Sequence, residues 1–423
     1  MMAFKRPSPS PTGVNTLVIA SAGIQLASGF FGTFLSLRVA LEHFDPTIAG
    51  LVLSSYFAGY TIGALRSQII IERIGHIRSY VACAGLAVAA TSAMPLFTGA
   101  MPWIILRGII GFGCAGLFVT TESWLSCKTE PAERGRIFAR YMVGNFIALA
   151  LGQLLIIQAR VETMAPFSGI AALFALSLII MSMTRAEQPE RRPAPRLPYG
   201  KLSWTAPVAV WGSALSGIIT GAFYALVPAW MQSRGVDNTT IGLFMLAAVL
   251  GGLLFQVPVG RFSDRVDRPI VLAILGVGIA SIAIALVNLP RNYSLMTAAA
   301  MLGGFMSTVY PVCVAHAHDR MEAEQIVAVS GRLILVYGLG SIMGPFVGMS
   351  LMQRFGIDGV LYLMGTAGLL LATVAVFQRS NSHSSSRSKT RFGILAPTGT
   401  LNTSDSVNFR ERQRPPSHDQ DVT

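Results

Sequence analysis

Residues 260–268 read GRFSDRVDR, a short charged stretch between two long apolar runs. A related stretch, ERIGHIR at residues 72–78, also lies between two apolar runs. When the chain is shifted onto itself by 192 residues, the two stretches overlap and identical residues recur without a gap. The identical pairs include Gly29 with Gly221, Asp45 with Asp237, Thr47 with Thr239, Gly50 with Gly242, Gly59 with Gly251, Arg73 with Arg265, Gly111 with Gly303, Arg140 with Arg332 and Gly152 with Gly344. The sequence therefore predicts two copies of one structural unit.

The composition excludes an ordinary soluble protein. Of 423 residues, 52% are hydrophobic and 12% charged, whereas soluble domains carry about 25% charged residues. A helix of about 20 apolar residues is long enough to span a bilayer. Such runs lie at residues 14–37, 46–71, 79–98, 102–125, 137–158, 164–183, 207–230, 238–262, 269–288, 293–315, 329–351 and 358–377. We therefore expect an all-α integral membrane protein with twelve transmembrane helices in two pseudo-symmetric six-helix bundles.

The basic residues predict how the loops are oriented. The net charge is +12, but the lysines and arginines fall in alternate loops and in the tail, which does not indicate a nucleic-acid-binding surface. Because cytoplasmic loops carry an excess of Lys and Arg, we expect both termini in the cytoplasm. We also expect the protein to lie in the cytoplasmic membrane, in contact with lipids, and to be a monomer. The six loops of the opposite side contain only five basic residues, namely Arg38, Arg160, Arg234, Arg291 and Arg354.

The same patterns divide the chain into five segments. The first bundle covers residues 14–183 and the second residues 207–377, with a basic cytoplasmic linker at residues 184–206. Residues 1–13 form a short cytoplasmic tail, and residues 378–423 form a polar tail with too few apolar residues to fold alone. Trp103, Trp124, Trp204 and Trp230 lie near the ends of predicted spans, where they are expected to form an aromatic belt at the membrane surfaces.

No sequence pattern indicates a metal site, a cofactor or an enzyme. The four cysteines, Cys83, Cys114, Cys127 and Cys313, lack the spacing of metal ligands. No phosphate-binding P-loop is found, and no nucleophile lies beside a base in a recognisable motif. We therefore expect no ATP coupling.

Several motifs resemble the major facilitator superfamily over about residues 14–377. The strongest is a G-x-x-x-D-R-x-x-R turn after the second span of a half, formed here by Gly260, Asp264, Arg265 and Arg268. The first-half turn has Gln68 and Glu72 where the motif has Gly and Asp. Other stretches resemble the YcaD-type branch, at residues 121–125, 134–136, 310–311, 315–320 and 340–348. The resemblance implies a secondary transporter that moves a small solute by alternating access.

The resemblance does not give the cargo or the energy source. Efflux of amphipathic compounds and uptake of a polar solute are both open, driven by a proton gradient or by the gradient of the solute itself. A different class of function is a membrane sensor that keeps the fold, transports nothing and signals through the C-terminal tail.

The charged turns are expected to act as cytoplasmic latches. In this superfamily the turn after span 2 contacts span 11, and the turn after span 8 contacts span 5. The resemblance therefore implies ion pairs of Glu72 with Arg332 and of Asp264 with Arg140, which would hold the halves closed on the inside. The remaining gating candidates are Arg73, Arg265 and Arg268. The alternative interpretation is that these groups only anchor the halves and fix their topology.

Arg107 and Glu122 both fall inside the predicted span 102–125, where a charge is costly and indicates function. Arg107 lies in a Gly-rich span that resembles a family motif linked to proton coupling. It would bind an anionic group of the solute, tune a proton carrier, or extend to the outer head groups. Glu122 would carry protons or pair with a cation such as Arg66, Arg136 or Arg140. By the resemblance, spans 1, 4, 7 and 10 line the site, with candidate residues Gln25, Arg107, Glu122, Phe223, Tyr224 and Tyr310.

Overall fold

The computed structural model describes residues 11–42, 44–129, 131–183, 206–288, 293–321 and 326–381. These residues contain twelve helices that are long and apolar enough to cross a membrane, which confirms the predicted all-α membrane architecture. In chain order they are α1 Pro11–Leu41, α2 Pro46–Ile74, α3 His76–Ala93, α4 Ala100–Lys128, α5 Pro131–Leu154, α6 Ala165–Ser182, α7 Pro207–Ser233, α8 Asn238–Arg265, α9 Arg268–Asn288, α10 Tyr293–His318, α11 Ile326–Phe355 and α12 Gly359–Asn381. Most of the predicted tails and the linker, at residues 1–10, 184–205 and 382–423, lie outside the described residues.

Equivalent helices of the two halves begin with the same chemistry. The side chain of Asp45 accepts a hydrogen bond from the Thr47 amide at 2.9 Å, and Pro46 follows as the first residue of α2. Proline at this position loses no helical hydrogen bond, because the first amides of a helix have no partner within it. Asp237 caps α8 in the same way by accepting from the Thr240 amide at 3.1 Å. The Thr240 hydroxyl also donates to Asp237 at 2.6 Å, and this hydrogen bond together with that from the amide stabilises the carboxylate and lowers the pKa of Asp237.

The repeat of 192 residues recurs in the contacts between helices. A Cβ on Gly59 of α2 would lie 1.9 Å from the carbonyl oxygen of Gly108 on α4. A Cβ on Gly251 of α8 would lie 1.9 Å from the carbonyl oxygen of Ala300 on α10, the equivalent residue of the second half. Three further pairs of equivalent glycines approach the backbone of equivalent residues in the two halves. Gly111 contacts Tyr56, as Gly303 contacts Ala248; Gly29 contacts Leu149, as Gly221 contacts Ser341; and Gly152 contacts Leu26, as Gly344 contacts Ile218. Glycine thus sets the same helix spacing in both halves.

The bundle has two ends, called the first-loop end and the linker end. The first-loop end contains residues 41–46 and the other loops that follow odd-numbered helices, and the linker end contains the beginning of α1 and the end of α6. The halves meet where α1 faces α7, α2 faces α11 and α5 faces α8.

Close contacts join the halves toward the first-loop end. Ser36 donates a hydrogen bond to the carbonyl of Ala225 at 2.6 Å, and Ser54 donates to the carbonyl of Ile342 at 2.7 Å. A Cβ on Gly50 would lie 3.3 Å from the Cβ of Met349. Small residues therefore close the seam between the halves at this end.

The predicted aromatic belt is wrong for three of its four tryptophans. Trp103 and Trp124 are fully buried and Trp230 is 3% exposed, so they pack inside the protein and do not face the head groups. For Trp103 and Trp230 the polar end explains this, because a buried indole N–H usually has a hydrogen-bond partner, whereas Nε1 of Trp124 has none among the described residues. Trp103 donates to the carbonyl of Met94 at 3.0 Å, and Trp230 donates to a carboxylate oxygen at 2.8 Å. Trp204 lies outside the described residues.

Candidate substrate cavity and charged turns

A cavity lies between the two halves and measures about 1160 Å³ when its open mouth is counted. Residues of α1, α2, α4, α5, α7 and α11 line it, with one residue of α6. Its walls are mainly apolar and aromatic, which is typical of binding sites for small molecules. The aromatic residues contributed by α1, α2, α7 and α11 are Phe31, Tyr56, Phe57, Tyr60, Tyr224 and Tyr337.

Arg107 of α4 carries the one positive charge among the described residues of the cavity wall. Its side chain is 6% exposed, and Nε has no hydrogen-bond partner in the described part of the chain. Cζ lies 4.5 Å from the centre of the Phe31 ring and 4.4 Å from that of Tyr56. The face of an aromatic ring attracts a cation, so the two rings stabilise the buried charge in part. Arg107 therefore faces the cavity and not the outer head groups.

Gln25 of α1 is a second polar residue with unused hydrogen-bonding groups. It is fully buried, and neither Oε1 nor Nε2 has a hydrogen-bond partner among the described residues. Gln153 of α5 differs, because its Oε1 accepts a hydrogen bond from Thr33. Since buried polar groups nearly always have partners, Gln25 is placed as a ligand-binding residue would be.

The structure brings three of the six candidate residues together. Gln25, Arg107 and Tyr224 line the cavity. Phe223 lies behind it and packs edge-on against Tyr224 at 5.2 Å. Tyr310 also lies outside the lining and packs against the cavity residue Tyr337 at 4.7 Å. These two aromatics contact the cavity wall and not its interior.

The expectation that span 10 lines the site is wrong for this cavity. The described lining contains no residue of α10 and instead includes residues of α2 and α11. Helix α4 reaches the cavity through Arg107 and Cys114, whereas the position equivalent to Arg107 on α10 is Ala299, whose short side chain is buried. One signal in the sequence could have identified α2, because Tyr56 and Tyr60 are four residues apart and therefore share a helix face.

Glu122 lies outside the cavity lining, buried near the linker end of α4 at 7% exposure. The hydroxyl of Tyr141 on α5 donates a hydrogen bond to its carboxylate over 3.4 Å. Of the cations proposed as partners, Arg136 forms an ion pair with Glu133, and Arg140 donates a hydrogen bond to Asn15 at 3.2 Å. Which residue of α5 faces Glu122 depends on the rotation of that helix about its axis, so the sequence alone could not single out Tyr141.

The candidate latch residues are placed at the linker end. Arg73, Arg140 and Arg265 are exposed, and Glu72 and Arg332 are half-buried. The pairing of Glu72 with Arg332 and that of Asp264 with Arg140 stay predictions.

Arg268 belongs to a cluster within the second half. Its Nε donates to Asp319 at 2.7 Å, and its Nη2 donates to the other oxygen of the same carboxylate at 3.3 Å. Asp264 lies 3.7 Å from Arg268, whose side chain is only 1% exposed. The turn at residues 260–268 is thereby bound to the end of α10. The equivalent position in the first half is His76, whose ring nitrogen shares a hydrogen bond with Ser123 at 3.0 Å.

Comparisons with known proteins agree with this architecture. The sequence profile of the Major Facilitator Superfamily matches residues 17–224 and 209–415. The chain is 32% identical over 343 residues to a protein of Escherichia coli O7:K1 (strain IAI39 / ExPEC) described as the uncharacterized MFS-type transporter YcaD. That match covers 81% of this chain and 89% of the relative, and a relative from Shigella flexneri has the same identity and coverage.

Three solved structures have the same fold. The nucleoside transporter NupG in a D323A mutant form has a TM-score of 0.73 at 13% identity and covers 86% of this chain and 99% of its own. A bacterial homologue of the human lysosomal transporter Spinster, in an inward-facing and occupied conformation, has a TM-score of 0.71 at 13% identity, covering 88% and 96%. A D-xylose-proton symporter has a TM-score of 0.62 at 16% identity, and the match covers 86% of this chain and 97% of the symporter chain.

The chain therefore belongs to the major facilitator superfamily. It is a multi-pass membrane protein with the twelve-helix fold of these transporters. The family and the relatives indicate a transporter and not an enzyme.

Proposed function

We propose that this protein moves a small solute across the cytoplasmic membrane by alternating access, with the cavity between the halves as the solute site. The observation that carries the proposal is the position of the cavity, which both halves line near the seam. Movement of one half against the other would open such a site to each side in turn. Among the described residues its lining contains no Asp or Glu, so we assign the cavity to the solute and not to a proton carrier.

The seam supplies a direct test of alternating access. The Cβ positions of residues 50 and 349 would be 3.3 Å apart, near the lower limit of the about 3.5–4.5 Å between the Cβ atoms of a disulfide. Gly32 lines the cavity, and a Cβ there meets nothing within 4 Å. A cysteine at residue 32 can therefore report access to the cavity, and cysteines at residues 50 and 349 can lock the first-loop end.

We expect Gly32→Cys, in a Cys114→Ser/Cys127→Ser background that removes the native cysteine of the cavity lining and the exposed one, to react with a membrane-impermeant thiol reagent from both faces of the membrane. After oxidation of the Gly50→Cys/Met349→Cys pair, the reaction from the first-loop side should stop, whereas that from the linker side continues. Reduction of the disulfide should restore the reaction from both sides of the membrane. The control carries Gly50→Cys alone, which cannot form the disulfide. Access from the linker side only, with or without the disulfide, would contradict alternating access.

The proposed orientation has its own test in Cys127. It is the single exposed cysteine among the four of the sequence and lies near the linker end of α4. We expect an impermeant maleimide to leave wild-type protein unlabelled in intact cells and to label it in inside-out vesicles, with Cys127→Ser as the negative control. Labelling of Cys127 in intact cells would reverse the predicted topology and place the linker end outside.

A further inference from the structure

We propose that the solute is a small organic monoanion with an apolar or aromatic body, whose carboxylate binds the guanidinium of Arg107. Gln25 would bind a second polar atom of the same solute. This inference rests on the proposed function of the cavity as a solute site and adds the chemical class of the solute.

The charge of the cavity wall carries the first step. Arg107 is 6% exposed, its Nε has no hydrogen-bond partner among the described residues, and none of the ion pairs found there includes it. The described lining holds no Asp or Glu. A buried charge without a partner is strongly unfavourable, so an arginine in this position indicates an anion that arrives from outside the protein.

The surroundings of the guanidinium define the kind of anion. Phe31 and Tyr56 contact Arg107 through their rings, and these contacts leave its N–H groups available because a ring face attracts the cation itself. A planar guanidinium matches a carboxylate with two parallel hydrogen bonds. With one cation in the described lining, a monoanion is neutralised, whereas a phosphate dianion would keep an unpaired charge in a low-dielectric site.

The rest of the wall defines the body of the solute. Leu53, Phe57, Ile334 and Tyr337 present mainly apolar surface to the cavity. Gln25 offers one amide N–H₂ and one carbonyl without partners among the described residues. The cavity thus suits a compact apolar or aromatic group that carries a carboxylate and one further hydrogen-bonding atom.

Comparison of the two halves separates binding residues from scaffold residues. Eight glycines that set helix spacing fall at equivalent positions of the two halves. The equivalents of Arg107 and Tyr56 in the second half are Ala299 and Ala248. The equivalent of Gln25 is Gly217, where a Cβ would lie 2.1 Å from the carbonyl oxygen of Tyr337, so the comparison bears on Arg107 and Tyr56 only. Since the fold forms in the second half without these groups, the fold does not explain their presence in the first.

The inference is tested with purified full-length protein and matched probes. Benzoate, phenylacetate and 4-methylpentanoate are the anionic probes, benzamide and phenylacetamide the neutral isosteres, and benzylammonium the cation. We expect calorimetry and thermal shift to show binding of at least one carboxylate, at least about tenfold tighter than its amide, because a charge-assisted pair contributes about 1.5–3 kcal/mol. Benzylammonium should not bind.

Variants then assign the binding to the cavity. Arg107→Gln should lose the preference for the carboxylate over the amide, and Arg107→Lys should keep part of it. Gln25→Leu should weaken binding of a hydroxyl-bearing probe such as salicylate more than that of benzoate. Because Arg107→Gln removes a buried charge that lacks an ion-pair partner in the described structure, we expect it to unfold at the same temperature as the wild type or higher.

Three outcomes would overturn the inference: no carboxylate binds at millimolar concentration, amides bind as well as carboxylates, or Arg107→Gln keeps the preference. Uptake of the radiolabelled carboxylate into proteoliposomes separates this inference from the proposed function. Binding that depends on Arg107 without uptake would support the monoanion site and contradict transport. Uptake of a neutral or cationic solute that is unaffected by Arg107→Gln would support transport and contradict the monoanion.

Discussion

Gly59→Ala and Gly251→Ala are each expected to destabilise the protein more than alanine at any other described glycine, because their Cβ contacts are the shortest. The added Cβ would lie 1.9 Å from a backbone carbonyl oxygen in each half. A neighbouring side chain could rotate away, but here two helix backbones must separate. Overpacking of a core costs about 1–3 kcal/mol and occasionally more, and a backbone contact this short places both variants at the upper end. The yield of monodisperse protein and its unfolding temperature in detergent measure the effect.

The chain offers matched controls for these variants. Gly85 in α3 and Gly169 in α6 are also helical glycines, but a Cβ at either would meet nothing within 4 Å. Alanine there should leave the unfolding temperature unchanged or raise it, because alanine favours helix more than glycine does. If all four variants behaved alike, the close approach of α2 to α4 and of α8 to α10 would be wrong.

Replacement of Arg268 by methionine is expected to have the second largest effect. The side chain is 1% exposed and binds Asp319, which is itself only 16% exposed. Methionine fills a similar volume but leaves the Asp319 carboxylate without this cation. Breaking a buried ion pair by removal of one partner costs about 3–5 kcal/mol. The unfolding temperature should fall clearly, and proteolysis should detect loosening at the turn that joins α8 to α9.

Two further variants show whether the ion pair is the cause. Arg268→Met/Asp319→Asn removes both charges and should be more stable than Arg268→Met alone. Arg265→Met removes an exposed arginine three residues earlier and should change stability little. An equal fall in unfolding temperature for Arg265→Met and Arg268→Met would contradict a specific role of the buried ion pair.

The architecture could be read from the sequence because bilayer thickness and loop charge restrict a chain of this composition so strongly. Twelve apolar runs and the repeat of 192 residues were enough to predict two equivalent bundles, and Gly59 with Gly251 confirms that equivalence in atomic contacts. Helix ends were less accurate. The eleventh helix was predicted at residues 329–351 but extends over Ile326–Phe355, because polar residues continue a helix beyond its apolar core.

The composition of the site could be predicted only in part. Arg107 and Gln25 stand out in a sequence because polar groups are rare in apolar spans, and both line the cavity. The ring contacts of Arg107 with Phe31 and Tyr56 depend on the rotation of three helices about their axes. Similarly, Arg268 and Asp319 are 51 residues apart on separate helices, and no local pattern relates them.

The seam at the first-loop end has a consequence for the environments in which this protein can work. It is closed by the hydroxyls of Ser36 and Ser54, by main-chain carbonyls and by the hydrogen side chain of Gly50. None of these groups gains or loses a proton near neutral pH, and none attracts counter-ions. In the proposed orientation this seam faces the medium, so acidification or a change in salinity outside the cell should leave these closing contacts intact.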